Sequence, residues 1–187
     1  MISTETWSNL MAENPTPVDP THELRPLADD VVQYVRGGRE YIAVRDTNGY
    51  GEASDDTPHT LQRVVEGGDF STYEVPPYLA SVAAVTREFG AAGIEDLKPI
   101  YRAIGQLLYE AAQQPIRPPV VRVDDVAIDM RTNELYYVPP VIFTQAEVTT
   151  AAYELWMKKS IAHTFKSLFE RSVVTSLQSE ITQGMKQ

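Results

Sequence analysis

The chain contains no cysteine. Disulfides, thiolate metal sites and cysteine nucleophiles are therefore excluded together, and a reducing compartment is compatible. Several motifs are also missing. No serine sits in a Gly-x-Ser-x-Gly turn, and neither the phosphate-cradling Gly-x-x-x-x-Gly-Lys sequence nor a Rossmann glycine pattern occurs. No apolar run approaches the roughly 18 residues that a membrane span needs. The opening residues from Met1 to Trp7 lack the basic and then apolar regions of a signal peptide. A cytoplasmic protein without a membrane partner is expected. Basic residues are scarce, 16 against 26 acidic ones, giving a net charge of −10 and a pI near 4.7. That balance repels phosphate backbones and argues against nucleic acid as a partner. The three histidines, His22, His59 and His163, have no metal-ligand spacing. His22 and His59 fall in expected loops, and His163 falls on a helix where packing or exposure is expected.

What is present suits one folded domain. The 187 residues are 43% hydrophobic and 22% charged. A chain of this length can bury roughly 70% of its unfolded surface. The charge is uneven: residues 1–60 carry 11 acidic and 4 basic side chains, whereas residues 145–187 carry 4 and 5. The front end is expected to be a solvated acidic face, and the sharper reading is an acidic arm that meets a basic partner. Residues 1–24 read as a flexible arm and residues 25–187 as a single domain. Within the arm, Thr4 can cap a short helix carrying Trp7, Leu10 and Met11, which Pro15, Pro17 and Pro20 then stop. Those three apolar residues are candidate partner contacts.

The fold class expected is α+β, with two hairpins or a small antiparallel sheet packed on about three main helices. Val31 to Val35 and Tyr41 to Val44 flank a Gly37-Gly38 turn. Residues 45–58 read as a long polar surface loop. Residues 60–66 are expected as a short helix closed by Gly67-Gly68. A helix is expected over residues 78–89, ended by Gly90, and another over residues 94–113. Pro99 fits the latter only in its first turn. A second hairpin spans residues 120–138 around the turn 129–133. From Gln145 to Ser179 there is no glycine or proline. A stripe of Val148, Ala152, Leu155, Ala162, Phe165, Phe169, Val173 and Leu177 predicts one long helix, or two broken near residues 160–164.

The most suggestive polar cluster is Asp124, Asp125 and Asp129. On a strand, residues four apart face the same way, so Asp125 and Asp129 can offer oxygen to a hard cation. The simpler reading gives Asp129 the start of a turn and leaves the others on an edge. Most tyrosines are expected in or beside the core, because no basic patch accompanies them.

The segment from Asp124 to Pro139 resembles the part of protein-kinase-like folds that follows the catalytic loop. There an asparagine leads into a strand, a turn and a second strand ending in the metal-binding aspartate of Asp-Phe-Gly. A helix like residues 94–113 precedes it, and Ile42-Ala43-Val44-Arg45 is similar to the strand carrying the nucleotide-contacting lysine. The resemblance centres on residues 94–139 and implies Asp125 at the asparagine position, Val120 at the catalytic aspartate, Pro139 at the Asp-Phe-Gly aspartate and Arg45 at the lysine. Arginine does not replace lysine in a tight nucleotide site. No glycine-rich phosphate loop precedes Arg45. A reduced pseudokinase-like fold without phosphotransfer and without a cofactor is thus expected. The function expected is a non-catalytic protein-binding or scaffold domain. Two alternatives stand beside it. One is a metal-dependent phosphoryl or nucleotide enzyme using Asp124, Asp125 or Asp129. The other is a structural subunit that associates through the C-terminal helix.

Overall fold

A computed structural model describes residues 16–17, 24, 30–45, 57–67, 70–139 and 141–186. Trp7, Leu10 and Met11 lie outside the described residues. The first sheet is antiparallel and runs in the order β1-β2-β3-β5-β4, with β1 at Thr16–Pro17, β2 at Val31–Arg36, β3 at Arg39–Arg45, β4 at Arg63–Gly67 and β5 at Phe70–Val75. The hairpin of β2 and β3 closes where the sequence places it. Arg36 faces Arg39, and Gly37 and Gly38 take φ values of 58° and 75°. Both positive angles suit a type I′ turn, whose twist matches the strands it joins. On the N-terminal side of residue 25, Thr16–Pro17 pair with β2 and Leu24 is buried.

Alternation along the strands divides the sheet into two faces. Val31, Ile42, Val44 and Val75 pack with Leu61, Leu79, Ala127 and Val138. Val32, Tyr34, Ala43 and Phe70 form a second, smaller cluster. Residues 60–66 are not the expected helix. Arg63–Gly67 pair with β5, and the Glu74 N–H donates to the Gln62 carbonyl at 3.0 Å. Val64 and Val65 have β-branched side chains, and an available sheet edge outweighs a short stretch of helix propensity.

The second sheet has the order β6-β7-β8, with β6 at Leu79–Ser81, β7 at Val126–Asp129 and β8 at Leu135–Tyr137. Because Leu79–Ser81 pair with β7, the first helix, α1, covers Val82–Phe89 and not residues 78–89. Ser81 Oγ caps it by accepting from the Ala84 N–H, and Gly90 ends it at φ 64°. Helix α2 spans Ile94–Gln113 as the periodicity predicts. Pro99, however, sits in its second turn, on an exposed side.

The C-terminal stretch forms two helices, α3 at Thr150–Phe165 and α4 at Arg171–Gly184. They part at residues 166–170, slightly beyond the expected break. The buried face of α3 is Tyr153, Met157, Ile161 and Phe165, in steps of four. The expected stripe is therefore rotated: Leu155 is 51% exposed. Leu177 and Ile181 of α4 are fully buried in the main core, with Tyr101, Ile104 and Leu108 of α2. Helices α2 and α4 cross so closely that a Cβ on Gly105 would meet the Ile181 carbonyl at 2.3 Å, and one on Gly184 would meet the Arg102 carbonyl at 2.0 Å. Beside this crossing Arg102 donates to Glu180 Oε2 through Nε at 2.9 Å and pairs with it through Nη2 at 2.7 Å. The buried faces of α3 and α4 are thus internal core, while Leu155 of the expected stripe is not. The architecture is α+β, and among the described residues no helix is long and apolar enough to cross a membrane.

Candidate functional site

The three aspartates do not share a strand face. Asp124 and Asp125 belong to a 3-10 turn over Val123–Asp125, and only Asp129 lies on β7. Asp125 Oδ2 accepts from the Arg122 N–H at 2.9 Å and so caps that turn. Asp129 is buried, and its Oδ1 accepts from the N–H groups of Arg131 at 2.8 Å and Thr132 at 3.3 Å. This is the turn-forming role that aspartate commonly takes. Among the described residues no group of three or more histidine, aspartate or glutamate side chains can hold a metal ion. Arg45 ends β3, with Nε 3.9 Å from Asp30 Oδ1 and its guanidinium 5.8 Å from the centre of the Phe70 ring. Val120 is 38% exposed, and Pro139 is buried just after β8.

The structure instead brings together residues with no common sequence signature. A cleft of about 330 Å³ lies between α2, the turn and strand of β8, and His59. Ala103, Leu107 and Leu135 give it an apolar side, while His59, Glu110, Asn133, Glu134 and Tyr136 bring polar groups to it. A smaller cavity of about 70 Å³ shares His59 and Glu110 and is also lined by Arg117, Tyr137 and Phe143. Arg117 donates through Nη1 to the Ala112 carbonyl at 2.7 Å, and its buried Nε has no protein acceptor.

His59 is held from several directions. Its backbone has φ 62°, a left-handed conformation uncommon for a residue with a side chain. Its carbonyl accepts from the Tyr137 N–H at 2.7 Å, and Thr60 makes a parallel bridge to Tyr137. The ring Nδ1 lies 3.0 Å from the Leu135 carbonyl. A carbonyl only accepts, so Nδ1 carries the hydrogen, and Nε2 is left facing Glu110 Oε2 at 3.4 Å. The imidazole also stands edge-on to the Tyr137 ring, which in turn meets Phe143.

The opposite rim is set by the turn between β7 and β8. Asn133 takes φ 62°, and its N–H donates to the Asp129 carbonyl at 2.7 Å. Glu134 is fixed by Tyr136, whose hydroxyl donates to Glu134 Oε2 at 2.9 Å. Burial raises the Tyr136 pKa, and the hydrogen bond to Glu134 and the charges of Glu134 and Asp129 raise it further. The Tyr137 phenol is also raised, first by burial and then by nearby Tyr153 and Glu110. Tyr153, which donates to the Pro118 carbonyl, is pushed up to about 12 by burial. All three phenols are neutral near pH 7 and act as donors or packing groups.

In the sequence His59 falls in an expected loop, and no motif marks Glu110 or Glu134. Glu110 lies on the exposed side of an amphipathic helix, where a carboxylate is unremarkable. The only available signal was Asn133 in a turn-like run. Comparison with known proteins finds no matching family model and no matching curated protein.

Proposed function

We propose that this chain is a non-catalytic protein-binding or scaffold domain built on a reduced kinase-like core. One observation supports it above the others. Where the resemblance puts phosphotransfer chemistry, Asp125 caps a turn and Arg45 lies between Asp30 and Phe70, while Val120 and Pro139 carry no ionisable side chain. Asp129, the candidate cation ligand, organises the next turn. The element order of α2, a 3-10 turn, β7, a tight turn and β8 is consistent with the resemblance. The partner in this reading is a protein, and no cofactor is needed.

The test is thermal unfolding with and without ATP and Mg²⁺. A ligand at about 100 times its dissociation constant stabilises by roughly 2.7 kcal/mol, a rise in midpoint on the order of 5–10 °C for a domain of this size. No shift is expected. A shift of that size that disappears in Asp125→Ala or Arg45→Ala overturns the non-catalytic reading and favours the nucleotide enzyme.

A further inference from the structure

We infer that the cleft between α2 and the β7–β8 turn is a subsite for a guanidinium group, supplied by an arginine in a basic segment of a partner protein. The inference rests on the protein-binding reading above and names the chemistry of that partner. Three features of the cleft converge on it.

The first is charge. Glu110 on one rim and Glu134 on the other are its charged carboxylates, and Glu110 is 61% exposed. The whole chain carries a net charge of −10, which steers a basic partner towards it. The cation lining the neighbouring cavity, Arg117, has Nη1 committed to the Ala112 carbonyl.

The second is fixed geometry. Tyr136 orients Glu134, and His59 stands at 3.4 Å from Glu110 while its own ring is anchored on the Leu135 carbonyl. Glu134 is therefore held before anything binds, and Glu110 stands beside an anchored ring, which lowers the ordering cost of association. A planar guanidinium offers five donors in a fork and can engage two carboxylates at once, whereas an ammonium is a compact point charge.

The third is the apolar wall. Leu107 and Leu135 line the cleft beside the carboxylates. The methylene stem of an arginine covers such surface while its head stays polar. A volume of about 330 Å³ accommodates one such side chain.

The experiment titrates agmatine and, separately, n-butylamine into the full chain at low salt, following backbone amides by heteronuclear NMR. Agmatine is expected to shift the amides of His59, Glu110, Asn133 and Glu134 with weak, saturable binding. Glu110→Gln and Glu134→Gln should each weaken it about fivefold, a surface ion pair being worth up to roughly that factor. The double variant should weaken it at least tenfold. Raising salt from low to physiological strength should weaken it too, because exposed charges are screened. Both side chains lie on the rim, so an unchanged thermal midpoint verifies folding. Shifts located elsewhere, unchanged affinity in the double variant, or equal binding of n-butylamine would each overturn the assignment. None of these outcomes bears on the ATP and Mg²⁺ scan, so the two readings fail separately.

Discussion

The N-terminal sheet and the C-terminal helices reach stability by different routes. In the helical half, α2, α3 and α4 share one large core with the second sheet, and glycines let two backbones touch. The first sheet divides its apolar residues between two small clusters and buries the polar side chains of Gln33, Ser71 and Thr72. Gln33 is satisfied there, since its Oε1 accepts from the Leu24 N–H at 2.9 Å and its amide donates to Glu40. The helical half is therefore limited by volume, because a dense core tolerates neither gaps nor added atoms. The sheet is limited more by register, because each strand's face and partners depend on the turn that sets it.

The sharpest way to break this contrast is Phe165→Ala. Phe165 is fully buried beside Phe169, so the substitution should cost about 3–5 kcal/mol, read as a lower denaturant midpoint. Gly184→Ala should cost about 1–3 kcal/mol, since the new Cβ meets backbone that cannot rotate away. In the sheet, Gly38→Ala should cost about 1–2 kcal/mol for a different reason: open space surrounds the position, but φ is +75°. Asparagine, which tolerates that angle, should recover most of the loss at residue 38 and none at residue 184. If Gly38→Asn is no better than Gly38→Ala, the turn does not set the register. Ile42→Val should cost only about 0.5–1.5 kcal/mol in the same denaturation experiment.

The smallest effect concerns pH. Glu154 Oε1 accepts from Lys158 Nζ at 2.6 Å and from Thr182 Oγ1 at 2.5 Å, which joins α3 to α4. These bonds, with Lys158 foremost, lower the Glu154 pKa despite some opposing desolvation. A carboxylate with a depressed folded pKa contributes stability above its unfolded value, near 4.3, and loses it as pH falls through the folded value. Glu154→Gln should therefore differ from the parent at pH 6 and converge with it only as pH falls through the depressed folded value in denaturant titrations. A constant difference across that range would place the effect in packing rather than charge.

Elements with strong local signals were legible in the sequence. Gly37-Gly38 marked the first hairpin, the spacing of Leu97, Tyr101, Ile104 and Leu108 marked α2, and Gly90 marked the end of α1. The sequence around Asp129 fits either a ligand or a turn former, and its backbone partners assign it to the turn. The cleft was not legible. It joins His59, Glu110 and Glu134, which are 51 and 24 residues apart in turn, and each has an ordinary surface setting in its own segment.

The sequence by itself determined the α+β class, the first hairpin and the extent of α2, because these follow from turn chemistry and from periodicities of two and 3.6 residues. Only the tertiary structure decided that residues 63–67 extend a sheet, which face of α3 is buried, and that the stripe of α4 is core. It also decided that an imidazole and two carboxylates share one cleft. The physical reason is common to all of these. They depend on which distant strand, helix or backbone lies alongside, and a local pattern states what a segment can bury without naming what it will be buried against.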